Sequence, residues 1–387
     1  MTDTLAAADS SVPRPSTDGR EAVRITFLIP TLDRAGAEKQ LVLLACGLPR
    51  DRFQVDVIGL TRGGPLEADL LRAGIPVTVL KKRGKVDVRA FQALRERLRN
   101  DPPDILHTWL FAGNSYGRLA ASGNRRFRIV VSERCVDSWK SGWQLWLDRR
   151  LISRTDRLLA NSESVAEFYR SHGYPASKVT VIPNGVTPPP PPAMSRAEFL
   201  ESLDLPAETK LVGYIGRLAK QKRVQDLLWG LQVLRQADPR CRLAVVGDGP
   251  EREHLEQYAR DVECSAFVRF LGHREDAARL LHHFDAFWLA SDFEGLSNSL
   301  MEAMAIGLPS IASDIPPNRE LIQHGEHGYL ANLGDGVAFA QYTVKLLGDD
   351  ALRTRLGEAA RRRMQTEFSV EAMIAAHAAL YETLTPR

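Results

Sequence analysis

Cysteine is scarce in this chain of 387 residues: Cys46, Cys135, Cys241 and Cys264 stand apart, without CxxC or finger spacing. Such a pattern suggests neither a structural zinc site nor a disulfide framework, and it fits a reducing cytoplasm. Long hydrophobic runs are missing too. No window approaches eighteen uninterrupted apolar residues, which excludes a membrane-spanning helix but leaves attachment to a membrane surface open. Charge of one sign is not in excess. The 51 Lys and Arg are nearly matched by 48 Asp and Glu, and a net +3 is too small to announce nucleic acid as a partner. Residues 1–22, rich in Ala, Ser, Asp, Thr and Pro, lack the charged start and apolar run of a signal peptide, and a disordered tail is expected there.

What is present is an ordinary globular composition, 44% apolar and 26% charged, long enough for two domains with full cores. Short apolar runs recur, each followed by an amphipathic segment: VRITFLI, FQVDVIGL, PVTVL, PDILH, RIVVS and RLLA in the first half. Runs of that length bounded by turn residues read as buried parallel strands alternating with helices. The proline run at 187–193 lacks backbone donors and cannot continue a sheet or helix, so the interdomain linker is placed at 187–195. The alternation then restarts with LVGYIG, RLAVVG, FVRFLG, DAFWLA and PSIAS, with helical stretches at 222–237 and 250–261. The expected organisation is a first α/β domain over 23–186, a second over 196–368, and a helical segment over 369–387 that closes the chain. Open parallel sheets bind ligands at the carboxyl ends of their strands, so the site is expected in a cleft between the two sheets.

In the second half, YIGRLAKQKR follows a strand directly and puts Arg217 and Lys222 at its carboxyl end, where two cations can hold a diphosphate. Solvated loop charges are the plainer alternative. The stretch FEGLSNSLMEAMAIGLP, 293–309, sets Glu294 in a loop and Glu302 eight positions later on a helix. Ser297 or Asn298 is the candidate N-cap, leaving backbone N–H groups free to face an anion. Ser299 followed by Glu302 also matches a capping box, in which the Glu merely ties down the helix start.

Taken together, Glu294 through Glu302 resembles the Glu-x7-Glu motif of glycosyltransferase family 4, retaining enzymes of the GT-B architecture, and GRLAKQK resembles the family's Gly-Arg-Leu…Lys segment. RAGAEKQL, ANSESV, VIPNGV, VVGDGPE, FLGH and EAMAIGLP agree in order, from about residue 24 to the final helix. The resemblance implies a GT-B fold, two Rossmann-like α/β/α domains facing across a cleft. It implies a nucleotide-diphosphate-sugar donor as co-substrate, without a separate cofactor, and a glycan or lipid-linked glycan acceptor. Arg217 and Lys222 would hold the diphosphate, Glu302 the ribose and Glu294 the donor-sugar hydroxyls. Gly36 matches the glycine that lets the first-domain loop approach phosphate, with Ala35 where a glycine usually precedes it. The backbone around Ser297, Asn298 and Ser299 would complete the cradle. Cations and a helix start can stabilise a departing diphosphate without a metal, and no two aspartates stand in Asp-x-Asp spacing, so no divalent-ion requirement is expected.

On the acceptor side, DILHTWLFAGN ends a strand with His107, whereas the family often places an acceptor-contacting histidine two residues further, where this chain has Trp109. His107 is therefore the candidate to orient or deprotonate an acceptor hydroxyl, with a structural role as the alternative. The segment 81–100 carries eight Lys and Arg against two acids. It reads either as a solvated basic face or as a surface that docks on anionic headgroups at the inner face of a membrane. Two rivals stand beside the transferase reading. A nicotinamide-dependent dehydrogenase rests on VVGDGPER, but Arg252 replaces the third glycine of the fingerprint. A non-catalytic nucleotide-sugar-binding protein would keep the donor residues and lack turnover.

Overall fold

A computed structural model describes residues 21–123, 126–137 and 140–385. Residues 1–20 of the expected tail lie outside the described residues. Seven parallel strands form the first sheet: β1 (Val23–Ile29), β2 (Phe53–Gly59), β3 (Val77–Val79), β4 (Ile105–Trp109), β5 (Arg128–Glu133), β6 (Arg157–Ala160) and β7 (Val179–Val181). Their spatial order is β3-β2-β1-β4-β5-β6-β7. Successive residues of β1 bury on opposite faces, Phe27 in one core cluster and Leu28 in another, because helices cover both sides. That two-sided burial is why these strands read as continuous apolar runs.

The second sheet repeats the plan with β8 (Lys210–Ile215), β9 (Cys241–Val246), β10 (Val268–Gly272), β11 (Ala286–Leu289), β12 (Ser310–Ser313) and β13 (Tyr329–Ala331), in the order β10-β9-β8-β11-β12-β13. Strand order therefore reverses between β1 and β4 in one domain and between β8 and β11 in the other. Both reversals open crevices at carboxyl strand ends.

The chain passes between domains twice. Residues 187–194 form no regular structure, and Ser195 then caps a short helix with Glu198 as its capping-box partner. The final helical segment is two helices, Asp350–Thr366 and Val370–Leu384, with Ser369 accepting from the Ala372 N–H to start the second. Leu356, Ala360 and Met364 of the former pack in the second-domain core. Met373, Tyr381 and Leu384 of the latter return to the first-domain core. Both crossings touch at one place, where Val186 N–H donates to Phe368 O at 2.8 Å and Gly185 lies against the helix start. A Cβ on Gly185 would come within 2.7 Å of Val370 Cα, so only glycine fits there.

Candidate functional site

A cleft of about 600 Å³ lies between the two sheets. Gly36 reaches it from the turn after β1, Arg217 and Lys222 from the turn after β8, and Glu294 from the turn after β11, so each sits at a carboxyl strand end. Ser297, Asn298, Ser299 and Glu302 line it from the helix Asn298–Ala305 and its cap. Another concavity, of about 680 Å³, lies among Asp314, Gln323, Tyr342 and Arg363 of the second domain and contains none of the motif residues.

Lys222 and Glu294 are fixed against each other. Arg223 takes a left-handed backbone conformation, φ 47°, and its guanidinium bonds Asp226 and Asp292. Gln221 donates to Phe293 O at 2.6 Å, which pins the lysine turn to the 292–294 loop. Lys222 Nζ consequently pairs with Glu294 Oε1, which also accepts from Ser291 Oγ at 2.7 Å. Arg217 is exposed and forms no ion pair with the described residues. Its charge is therefore available to a guest.

The helix start removes the capping reading of Glu302. Ser297 is the N-cap and accepts from Leu300 N–H, while Ser299 already lies inside the helix. Glu302 thus takes no part in a capping box. It reaches across the cleft to Lys39 Nζ at 3.6 Å; burial raises its carboxyl above the ordinary range and Lys39 acts the other way. The N–H groups of Asn298 and Ser299 fall in the first turn, where helical N–H groups lack intrahelical acceptors, and they border the cleft.

The structure corrects the expectation for His107. Its ring is fully buried within the first domain and does not line the cleft. Nδ1 meets Tyr381 OH at 2.7 Å and Nε2 meets Ser132 Oγ at 2.8 Å, so both ring nitrogens are occupied. Burial, with His377 and Arg134 nearby, holds the imidazole well below its ordinary range and keeps it neutral. An inward-facing position on a central strand admits no acceptor. His107 is a core residue that ties β4 to the last helix.

Four residues that spacing alone did not single out complete the site: Lys39, Gln40, Arg134 and Asn184. Gln40 exchanges two hydrogen bonds with the Gly185 backbone and donates to Asn298 Oδ1 at 3.3 Å. Asn184 Nδ2 donates to the same oxygen at 2.9 Å, and Asn298 Nδ2 donates to Gly36 O at 3.1 Å. One asparagine at the helix start thus joins both domains. For Lys39, Gln40 and Asn184 a signal was present in the motifs RAGAEKQL and VIPNGV, where polar residues stand close to a glycine; Arg134 lies in neither motif.

Residues 34–188 match the family profile described as Glycosyltransferase Family 4, and residues 195–363 match that described as Glycosyl transferases group 1. N-acetyl-alpha-D-glucosaminyl L-malate synthase of Bacillus anthracis is 34% identical over 173 residues, which span 44% of this chain and 45% of that protein. Glycogen synthase of Mycobacterium tuberculosis is 30% identical over 293 residues, 72% of this chain and 68% of that one. The chain therefore spans about half to two thirds of the length of these relatives. Among solved structures, Anabaena HepE in complex with UDP-glucose superimposes with a TM-score of 0.82 at 22% identity, covering 93% of this chain and 99% of that one. That likeness establishes a common GT-B fold.

Proposed function

Because the chain belongs to glycosyltransferase family 4, we propose that it moves a sugar from a nucleotide-diphosphate-sugar donor to a hydroxyl of a glycan or lipid-linked glycan, with retention of configuration. The observation that carries this reading is the convergence of Arg217, Lys222, Glu294, the Ser297 cap and Glu302 on one interdomain cleft. In the reaction the bond from the sugar's anomeric carbon to the β-phosphate oxygen breaks as the acceptor oxygen bonds the same carbon from the same face. Negative charge grows on the departing diphosphate, which Arg217, Lys222 and the helix start are placed to stabilise. Glu302 takes the ribose and Glu294 the donor-sugar hydroxyls. With His107 withdrawn into the core, the departing phosphate oxygen takes the acceptor proton. Fixed cations supply the stabilisation that a divalent ion provides elsewhere, so turnover is expected to survive EDTA.

The acceptor class is argued from the first-domain surface. Lys81, Arg83, Lys85, Arg89, Arg95 and Arg99 are exposed around the helix Val88–Asn100. Val86, Val88, Trp143 and Trp146 are exposed as well, on the same domain. Helix Leu110–Ala120 packs between the helices Val88–Asn100 and Gly142–Leu151 that carry most of these residues. Basic side chains and exposed tryptophans on one domain suit an anionic headgroup layer and favour a lipid-linked acceptor.

Incubation with UDP-, GDP- and ADP-sugars tests the reading. Slow donor hydrolysis that releases sugar with the donor's anomeric configuration is expected for at least one of them. Nucleotide binding with no release from any donor would favour a non-catalytic binding protein instead.

A further inference from the structure

Two helices from opposite domains meet at the cleft. On Gly36–Gly47 of the first domain, Gly36, Lys39 and Gln40 fall at i, i+3 and i+4 and so share one face. On Asn298–Ala305 of the second, Asn298 and Glu302 fall at i and i+4. The helices are fastened through Asn298, which donates to Gly36 O at 3.1 Å and accepts from Gln40 Nε2 at 3.3 Å. Gln40 is itself held, by bonds of 2.8 and 2.9 Å to the Gly185 backbone. One turn further along the second-domain helix, Lys39 Nζ lies 3.6 Å from Glu302 Oε1, and both residues line the cleft.

Glu302 has one counter-charge. Burial raises its carboxyl above the ordinary range, and Lys39 draws it back. Lys39 is its only ion-pair partner among the described residues. Other charges that line the cleft are engaged elsewhere: Arg34 pairs with Glu275, Arg274 with Asp276, Lys222 with Glu294 and Asp248 with Arg252, while His273 and the exposed Arg217 form no ion pair with the described residues. Helix Asp350–Thr366 also packs on the helix of Glu302, but its buried residues Leu356, Gly357, Ala360 and Met364 are uncharged. Its Arg353 and Arg363 pair with Asp350 and Glu367, and Arg355, Glu358, Arg361 and Arg362 are exposed. Strands β11 and β12, which touch the same helix, carry no charge.

The pair is partly exposed and loosely spaced, so it contributes little to stability. Its consequence is the charge state of Glu302. An ionised carboxylate accepts through both oxygens, as two neighbouring hydroxyls require, whereas a protonated carboxyl turns part of that capacity into a donor.

We infer that Lys39 is a positioning residue of the nucleotide site, a first-domain cation that keeps the Glu302 carboxylate charged at the cleft so that it accepts both ribose hydroxyls. The inference rests on the reading of Glu302 as the ribose ligand. Cation and carboxylate come from different domains, so the ribose site is whole only with the domains docked.

Calorimetry from pH 8 to pH 6 tests it on wild type, Lys39→Gln, Lys39→Arg, Glu302→Gln and the variant carrying both Gln substitutions, with UDP, GDP and ADP as probes. Titration of the probe itself is common to all five proteins. Without the lysine, Glu302 takes up its proton at higher pH, so binding fails earlier as pH falls. For the nucleotide that wild type binds, Lys39→Gln is expected to lose about fivefold in affinity at pH 6 and less than about twofold at pH 8, because moving the carboxyl up by about one pH unit lowers its charged fraction at most about tenfold. Lys39→Arg keeps the charge and with it the wild-type profile. In the Glu302→Gln background, where no charge is left to sustain, Lys39→Gln has no further effect. A loss in Lys39→Gln that is flat with pH, or that persists undiminished beside Glu302→Gln, marks a direct contact and overturns the inference. Unchanged affinity in Lys39→Gln while Glu302→Gln binds weakly overturns it as well. Full affinity in Glu302→Gln, or no nucleotide bound by wild type, overturns the ribose reading instead.

Discussion

Arg217 and Lys222 reach the cleft in different ways, and their substitutions separate charge from position. Arg217 is exposed and without an ion pair among the described residues, whereas Lys222 is held by Glu294. Arg217→Ala and Lys222→Ala are each expected to lower donor turnover by about 10²–10³, about 2–4 kcal/mol of transition-state stabilisation, with the melting temperature nearly unchanged for Arg217→Ala. Steady-state rates and thermal melts check both, and near-normal turnover in the pair would sink the diphosphate assignment. For Glu302 the capping role is gone, and its pair with Lys39 at 3.6 Å is part-exposed and adds little to stability. Glu302→Gln is therefore expected to weaken nucleoside diphosphate binding about tenfold while the melt stays put. Calorimetry showing full affinity in the variant would remove Glu302 from the ribose.

The last helix is an element whose partners belong to the other end of the chain. Tyr381 buries fully beneath β1 and β4 and its hydroxyl meets His107. Tyr381→Phe leaves that imidazole nitrogen without its partner and is expected to cost about 1–3 kcal/mol of stability. Donor hydrolysis should stay within about twofold, because His107 stabilises β4 and takes no part in the chemistry; a large rate loss at constant stability would restore the histidine to the site. His377 on the same helix is buried, with Nδ1 donating to Met373 O at 2.9 Å. Burial pulls its imidazole from 6.5 down to about 3. The unfolded chain then binds a proton below pH 6.5 that the folded chain refuses, so this contribution to stability is present above 6.5 and is lost as pH falls. Relative to His377→Leu, wild type should lose about 1.4 kcal/mol of unfolding free energy per pH unit between about pH 6 and 4. Urea denaturation of the two proteins across that range measures it, and parallel pH profiles would contradict it.

At the scale of the whole molecule, the two domains are joined by polar contacts at separate places. Glu320 of the second domain accepts the Glu163 and Ser164 N–H groups of the first at 2.8 and 2.9 Å, apart from the Asn298 contacts. The basic and aromatic surface of the first domain lies on the segment 81–87 and on two helices, none of which lines the cleft. Docking on an anionic bilayer through about 1 kcal/mol per basic residue should give binding that salt weakens, at a Debye length near 8 Å. Replacing Lys81, Lys82, Arg83 and Lys85 by Gln is expected to abolish co-sedimentation with anionic liposomes and to leave hydrolysis of a soluble donor intact. Sedimentation that ignores lipid charge or the four substitutions would leave a solvated face and a soluble acceptor.

Eleven of the thirteen strands follow from apolar runs in the sequence, because a strand buried on both faces needs continuous apolar residues and shows it locally. Strands β7 and β13 are not among those runs: β7 has the same Val-Thr-Val as β3 but leads through Ile182 into Pro183, Asn184 and Gly185, and β13 is three residues set between Gly328 and Asn332. Motif spacing likewise pointed to Arg217, Lys222, Glu294 and Glu302, since each lies near a strand end or helix start that local sequence marks. Burial is a different kind of quantity, set by what arrives from elsewhere in the chain. Tyr381 stands 274 residues from His107 and turns a plausible base into a core residue. Asn184 stands 50 residues from Arg134 and orients a guanidinium that spacing did not single out. Local pattern determined the elements and the donor side of the cleft; only the packing of distant segments decided which polar side chains face it.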